Sequence, residues 1–414
     1  YNLPLNLTEN KFLTSTLPVL IIFFIGYCFY GNFIEPKDKT RENLPHFVFK
    51  TWSEYSVKST AGIPAIDTQY QHILFPKYAP NGIQKNQFKY LISHPPFAYY
   101  LGYLFYLIFG DNWSLINYIL TFISAFFIYA TVCVLCFHRL REAIHLPALF
   151  AYLIYLSNPF VSHNQLFNYH PDILVQTLFI SLAYIILKMI MRKRQGSFKY
   201  LFFFAILNFI MVYTSWAGVL FSITILVYGI FNLRKGYAFI HITTLAFITM
   251  FLALSLMAMQ YSQADGLEIY FHFLKATYLK ETSAWYILYS FKTLNIFVSF
   301  IHLFVVYFKA YWAIYLAIFV FVLFSITGVK KKIVFTKNGY RYLLISSLPV
   351  ILTHLILMKY SISGFTMLYG LVFMSVMMGI LFDKIEKTKI FETHIFILLS
   401  SIIIIAQLIQ GLII

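Results

Sequence analysis

Charge is what this sequence has least of. Asp, Glu, Lys and Arg make up 11% of its 414 residues, and hydrophobic side chains make up 60%. A soluble domain carries about a quarter charged residues. One globule cannot enclose that much apolar surface, so a soluble fold is excluded and lipid must be the solvent for much of the chain. Acids are scarcer still, 15 against 31 basic residues, for a formal charge of +16. That excess does not point to nucleic acid, because Lys and Arg fall in short clusters between apolar runs, as positive-inside loops do. Cysteine is limited to three residues, Cys28, Cys133 and Cys136, all in or at the end of apolar runs. The spacing of Cys133 and Cys136 is metal-like but has no partner cluster, so packed thiols and no disulfide framework are expected. No fixed-period repeat is visible, and no inverted repeat of broken helices marks a secondary transporter. The first apolar run lacks a small-residue cleavage site after it and reads as an anchor.

What the sequence does have is spans. A crossing needs about 20 apolar residues. Such runs lie at 12–30, 114–137, 146–162, 173–190, 199–214, 216–232, 237–258, 310–328, 342–359, 363–381 and 391–414. The expected fold class is therefore an all-α integral membrane protein with roughly ten or eleven transmembrane helices. Basic clusters punctuate the runs: Arg139/Arg141, Arg192–Arg194, Arg234/Lys235, Lys330–Lys332 and Lys384/Lys387/Lys389. Placed together on the cytoplasmic side, they leave two large outer loops, 31–111 and 260–309. Residues 97–109, bounded by His94-Pro95-Pro96 and Gly110-Asp111, would make a helix of roughly 20 Å, too short to cross and rich in interface-seeking Tyr. They are expected to lie on the membrane surface. The apolar stretch 294–308 is expected to be interfacial or re-entrant, since counting it as a span would put Lys330–Lys332 outside.

Few ionisable groups fall inside spans; His241, His354, Lys359 and His394 sit at or near predicted ends, where an interfacial position explains them. The carboxylates gather in outer loops. Glu35, just past the first span, is a candidate general base held close to the membrane surface, with Asp38 beside it and Glu42 a weaker third. Asp172 follows Pro171, which suits a first helical position, and a helix N-terminus stabilises a carboxylate. It reads either as a helix-start acid or as a second carboxylate facing the cavity of Glu35, with His163 and His170 nearby. Lys85, Lys89 and His94, beside the N-terminus of the surface helix, could seat a phosphate, with Lys275 as a further contact. No ligand spacing is firm enough for a metal, and no cofactor is expected.

Taken together, the acid after the first span, the long outer loop, the run His94-Pro-Pro-Phe-Ala-Tyr-Tyr-Leu-Gly-Tyr-Leu-Phe-Tyr-Leu-Ile-Phe-Gly110 and the Asn-Pro-Phe turn leading to Asp172 resemble the GT-C glycosyltransferases that use polyprenyl-phosphate sugars. Lipid A aminoarabinose transferases and protein O-mannosyltransferases belong to that family. The resemblance implies a GT-C-like bundle with interfacial helices in the first outer loop. It also implies an inverting transfer of a hexose, such as glucose, from a polyprenyl-phosphate donor to a periplasmic acceptor. That acceptor would be O-antigen of lipopolysaccharide, or another glycan or lipid-linked molecule. Carried over, Glu35 is the base, Asp172 the second-loop acid, and Lys85, Lys89, His94 and Lys275 hold the donor phosphate. His94 stands where some members have Lys, and the first-loop acid pair is split by Pro36-Lys37. The short chain is similar in size to the O-antigen glucosyltransferases. The implied location is the cell inner membrane, multi-pass, with the site facing the periplasm. Other readings stay open: a flippase or exporter of a lipid-linked glycan, an O-antigen ligase or polymerase, and a structural subunit of a membrane complex.

Overall fold

The computed structural model describes residues 5–31, 39–67, 82–85, 88–91, 95–137, 144–165, 171–191, 198–265, isolated positions between 301 and 319, and 337–356, 364–388 and 393–413. The chain is an all-α integral membrane protein with a small extramembrane layer at one end. Its first helix, α1 (Leu5–Gly31), leads to α2 (Lys39–Tyr55), a short 3-10 turn (Val57–Thr60) and three strands, β1 (Ala65–Asp67), β2 (Gly82–Lys85) and β3 (Phe88–Leu91). The bundle helices follow: α3 (Phe97–Phe109), α4 (Leu115–Phe137), α5 (Leu146–Ser157), α6 (Pro159–Gln165), α7 (Pro171–Met191), α8 (Phe198–Val212), α9 (Trp216–Phe231), α10 (Tyr237–Asp265), α11 (Lys337–Ile356), α12 (Gly364–Thr388) and α13 (Thr393–Ile413).

Among the described residues, helices lie in each expected span, with only isolated positions of 310–328 described. By length and composition, three stretches among the described residues are long and apolar enough to cross a membrane by themselves: the continuous run through α3 and α4, then α7, and then α10. Lipid as solvent explains the outward faces, where Phe198, Phe231, Phe247, Phe251, Phe304 and Ile402 are all exposed. It also explains why the few polar side chains inside turn toward each other. Asn208 of α8 donates to Ser222 Oγ of α9 (2.9 Å) and to Thr249 Oγ1 of α10 (2.8 Å). Small residues allow close approach, since a Cβ on Gly379 of α12 would lie 2.8 Å from Val132 of α4 and 3.0 Å from Ala151 of α5.

Several boundaries differ from expectation: α1 and α11 begin earlier and α12 ends later, and two further differences bear on the site. The run 146–162 is not one helix: it breaks at Asn158, whose extended backbone (φ −67°, ψ 128°) precedes Pro159. A residue before proline is pushed out of the helical region. The break is tolerated because nearly all of α5 is buried in protein. The span expected over 237–258 instead continues to Asp265, two turns further. Of the stretch at 294–308, the described positions 301, 304, 305, 307 and 308 are helical, as are those from 311 to 319. Tyr307 and Tyr311 meet at a tilt at 5.4 Å, and Tyr311 and Tyr315 meet edge-on at 6.3 Å.

The first loop was expected to hold surface helices. It does, in α2 and α3, and it also holds an antiparallel three-stranded sheet in the order β1-β3-β2. Ile66 pairs with Lys89, and Lys89 pairs with Gln84. The strands are short and interrupted by charged residues, so no alternating run announced them. The surface helix itself begins at Phe97 and ends at Phe109, with Gly110 in a positive-φ cap (φ 57°).

Helix direction alternates, so the helix ends that adjoin the basic clusters share one end of the bundle. There the imidazole of His145, before α5, lies 3.5 Å from the Asp383 carboxylate of α12, both buried, and Arg341 sits 6.0 Å over the Phe239 ring. The other end carries the C-termini of α1, α5 and α13 and the N-termini of α7 and α9. It is tied by Tyr30 Oη to the Leu408 carbonyl (2.6 Å) and Ser157 Oγ to Gln407 Oε1 (2.7 Å). The first loop sits on this second end.

Candidate active site at the loop-covered end

Asp172 is the centre of this end. It occupies the first turn of α7, as Pro171 and the acid suggested, and it has no exposed surface. Tyr369, from α12, donates its hydroxyl to Asp172 Oδ1 at 2.7 Å. Ser215 donates to the same oxygen at 3.3 Å. Ser215 is also the N-cap of α9, accepting from the Ala217 amide at 3.3 Å. Three helices thus converge on one carboxylate, which also has the positive end of the α7 dipole beneath it. A fourth comes from above: Tyr99 of α3 is buried, and burial first and the nearby Asp172 charge second push its phenol well above the ordinary value.

The α4–α7 register adds another polar group at this level. These helices run parallel, and Thr177 of α7 contacts both Ser124 Oγ (2.8 Å) and the Leu120 carbonyl (3.3 Å) of α4. One turn and a half toward the covered end, Asn117 therefore stands level with Asp172, and it is fully buried.

The roof is fastened beside the carboxylate. The Phe97 amide donates to the Tyr213 carbonyl at 3.2 Å, joining the start of α3 to the turn between α8 and α9. Tyr100 donates to the Gly62 carbonyl at 2.6 Å, and Gln260 Nε2 donates to Tyr100 Oη at 2.9 Å. Tyr213 donates its hydroxyl to Gln260 Oε1. Gly62 has φ 74°, and a Cβ there would lie 2.2 Å from the Tyr100 hydroxyl, so this position requires glycine on both counts. Trp52 of α2 stacks on Tyr100 (5.4 Å, 27°) and donates its indole N–H to Thr60 Oγ1 at 2.9 Å.

Of the candidate catalytic and phosphate-binding residues, Asp172 is the one whose side chain is described. It is enclosed rather than open to the outer solution. Lys85 closes β2, and Lys89 lies at the centre of β3; their side chains lie outside the described set. Glu35, Asp38, His94, His170 and Lys275 lie outside the described residues, as do the side chains of Glu42 and His163. The segment bearing Glu35 and Asp38 nevertheless joins the C-terminus of α1 to the start of α2, both at the covered end. His354 lies in the last turn of α11, as expected, but faces inward, where its Nε2 meets the Tyr307 hydroxyl. Sequence reading missed Tyr99, Tyr369, Ser215 and Gln260. Tyrosine is so common here (33 residues) that a functional one carries no signal of its own. Among the described residues no group of three or more His, Cys, Asp or Glu is placed to hold a metal ion.

The arrangement is GT-C-like, a multi-span bundle with its first loop folded over one end. The solved structures it resembles include ArnT from Cupriavidus metallidurans bound to undecaprenyl phosphate (TM-score 0.56, 10% identity) and the same protein in the apo state (TM-score 0.53, 12% identity). Each match covers 89% of this chain and 60% of the other, so this chain spans about three-fifths of the length of the structures it matches. No family model and no curated protein matches the chain.

Proposed function

We propose that the chain is a membrane glycosyltransferase that takes a sugar from a polyprenyl-phosphate donor and passes it to an acceptor on the side opposite its basic loops. The carrying observation is a buried carboxylate, Asp172, roofed by the first-loop helix at one end of a fold shared with a protein that holds undecaprenyl phosphate. The donor is read as a hexose such as glucose. The acceptor is read as O-antigen or another surface glycan in the periplasm, with the protein in the inner membrane, since its basic clusters belong in the cytoplasm.

The reaction is an inverting displacement. An acceptor oxygen attacks the anomeric carbon, the bond from that carbon to the phosphate oxygen breaks, and polyprenyl phosphate leaves with the electron pair. Glu35 takes the acceptor proton, with Asp38 beside it. Lys85, Lys89, His94 and Lys275 stabilise the charge that grows on the leaving phosphate. Asp172, already accepting two hydroxyl bonds and closed to solvent, acts as a fixed negative charge and anchor under the roof. A site at the membrane face suits a donor whose tail stays in lipid.

The test compares surface glycan by mass spectrometry from cells with the gene, without it, and with Glu35→Gln. Loss of one hexose in the last two supports transfer and the base. Loss of all glycan export favours a flippase, and full transfer by Glu35→Gln removes Glu35 as the base.

A further inference from the structure

We infer that Gln260 is a positioning residue whose carboxamide holds α3, and with it Tyr99, over Asp172. The inference rests on the reading of this end as the transfer site. Gln260 lies beyond the expected end of its span, in the two extra turns by which α10 rises from the bundle. Those turns bring its amide against two phenols from different parts of the chain, Tyr213 and Tyr100, which also touch each other. Tyr213 donates to Oε1, Nε2 donates to Tyr100 Oη, and Tyr100 donates its own hydroxyl to the Gly62 carbonyl. The bonds run in one direction, from the α8–α9 turn through α10 and α3 to the first loop. Only a side chain that both donates and accepts can sit in the middle, which asparagine and glutamine do and hydrocarbon or carboxylate side chains do not.

A polar contact at a helix tip is common, and the plain reading is that this one is incidental. Two observations weigh against it. The partner backbone is shaped for the contact, because Gly62 takes a positive φ and leaves no room for a Cβ beside the Tyr100 hydroxyl. The same turn that supplies Tyr213 also receives the Phe97 amide, so the clasp and the first turn of α3 close on one point. Tyr100 and Tyr99 are neighbours about 100° apart around α3, one turned to the clasp and one buried beside Asp172. Releasing Tyr100 frees α3 to rotate, and rotation moves Tyr99. A shift of about 1 Å at a site can cost on the order of a hundredfold in rate.

The experiment is a double-mutant cycle on the purified full chain in liposomes, using Gln260→Met and Tyr100→Phe. Undecaprenyl-phosphate-linked glucose is the donor probe, and release of undecaprenyl phosphate is measured beside hydrogen exchange of the α3 amides. Each single change is expected to lower kcat roughly tenfold, with a smaller effect on KM and little change in thermal midpoint. The double variant should be no worse than the poorer single one, because both break one linkage. Exchange over 97–103 should quicken in all three. Losses that multiply in the double variant, or α3 exchange equal to wild type, would overturn the clasp. A wild type that releases no undecaprenyl phosphate, with exchange behaving as described, would sink the transfer reading and leave the clasp standing.

Discussion

A carboxylate with no exposed surface needs donors in place of the water it has lost. At Asp172 they are the N-terminus of α7 and the hydroxyls of Tyr369 and Ser215. Asp172→Leu should strand both hydroxyls, at about 1–3 kcal/mol each, and lower the thermal midpoint in detergent. Asp172→Asn keeps the shape and removes the charge. It should fold at near wild-type yield and lose most transfer; wild-type activity in that variant would reduce Asp172 to a helix-start residue. Gly62→Ala is expected to be worse than an exposed glycine substitution, because φ and contact both oppose it. Its signature would be faster proteolysis within the first loop at unchanged bundle stability. At this scale the sequence was partly legible. Asp172 announced itself because Pro171 and an acid together mark a helix start. Its partners did not, because Tyr369 and Ser215 come from 197 and 43 residues away.

The element that matters most is α3, a helix too short to cross and too apolar to float. Its buried face holds Ala98, Tyr99 and Gly102, while Leu104, Leu107, Ile108 and Phe109 are exposed. Those four are expected to sit in the leaflet at the loop-covered end. Leu107→Lys and Ile108→Lys together should loosen α3, read as quicker exchange of its amides in liposomes but not in detergent. Unchanged exchange in liposomes would mean that protein contacts alone hold it. The bounds of α3 were legible because the proline pair and Gly110 punctuate them. The break at Asn158 was half legible: the Asn-Pro-Phe turn marked it, while the apolar count carried the span on to 162. The sheet was not legible, because its strands are shorter than the window in which alternation can be seen. At the basic end, the His145–Asp383 pair ties α5 to α12 in a buried setting. Asp383→Leu leaves the imidazole without its carboxylate and should lower the thermal midpoint while α3 exchange stays as in wild type.

Across the whole molecule, the hydropathy pattern and the basic clusters pointed to a helical membrane bundle, because lipid admits few arrangements of an apolar chain. They placed the first loop and Asp172 at the same end, and the ties from α1 to α13 and from α3 to the α8–α9 turn agree. They could not tell how the loop closes over the carboxylate, because that depends on contacts between distant segments. The central claim is that the loop-covered end receives a polyprenyl phosphate. The most direct measurement is photo-crosslinking with a photoactivatable undecaprenyl phosphate carrying its label near the phosphate, in liposomes, with attachment sites mapped by mass spectrometry. The account predicts labels in 31–111 and near the start of α7, removed by excess unlabelled undecaprenyl phosphate. Labels confined to the basic end, or labels that the excess does not remove, would contradict it.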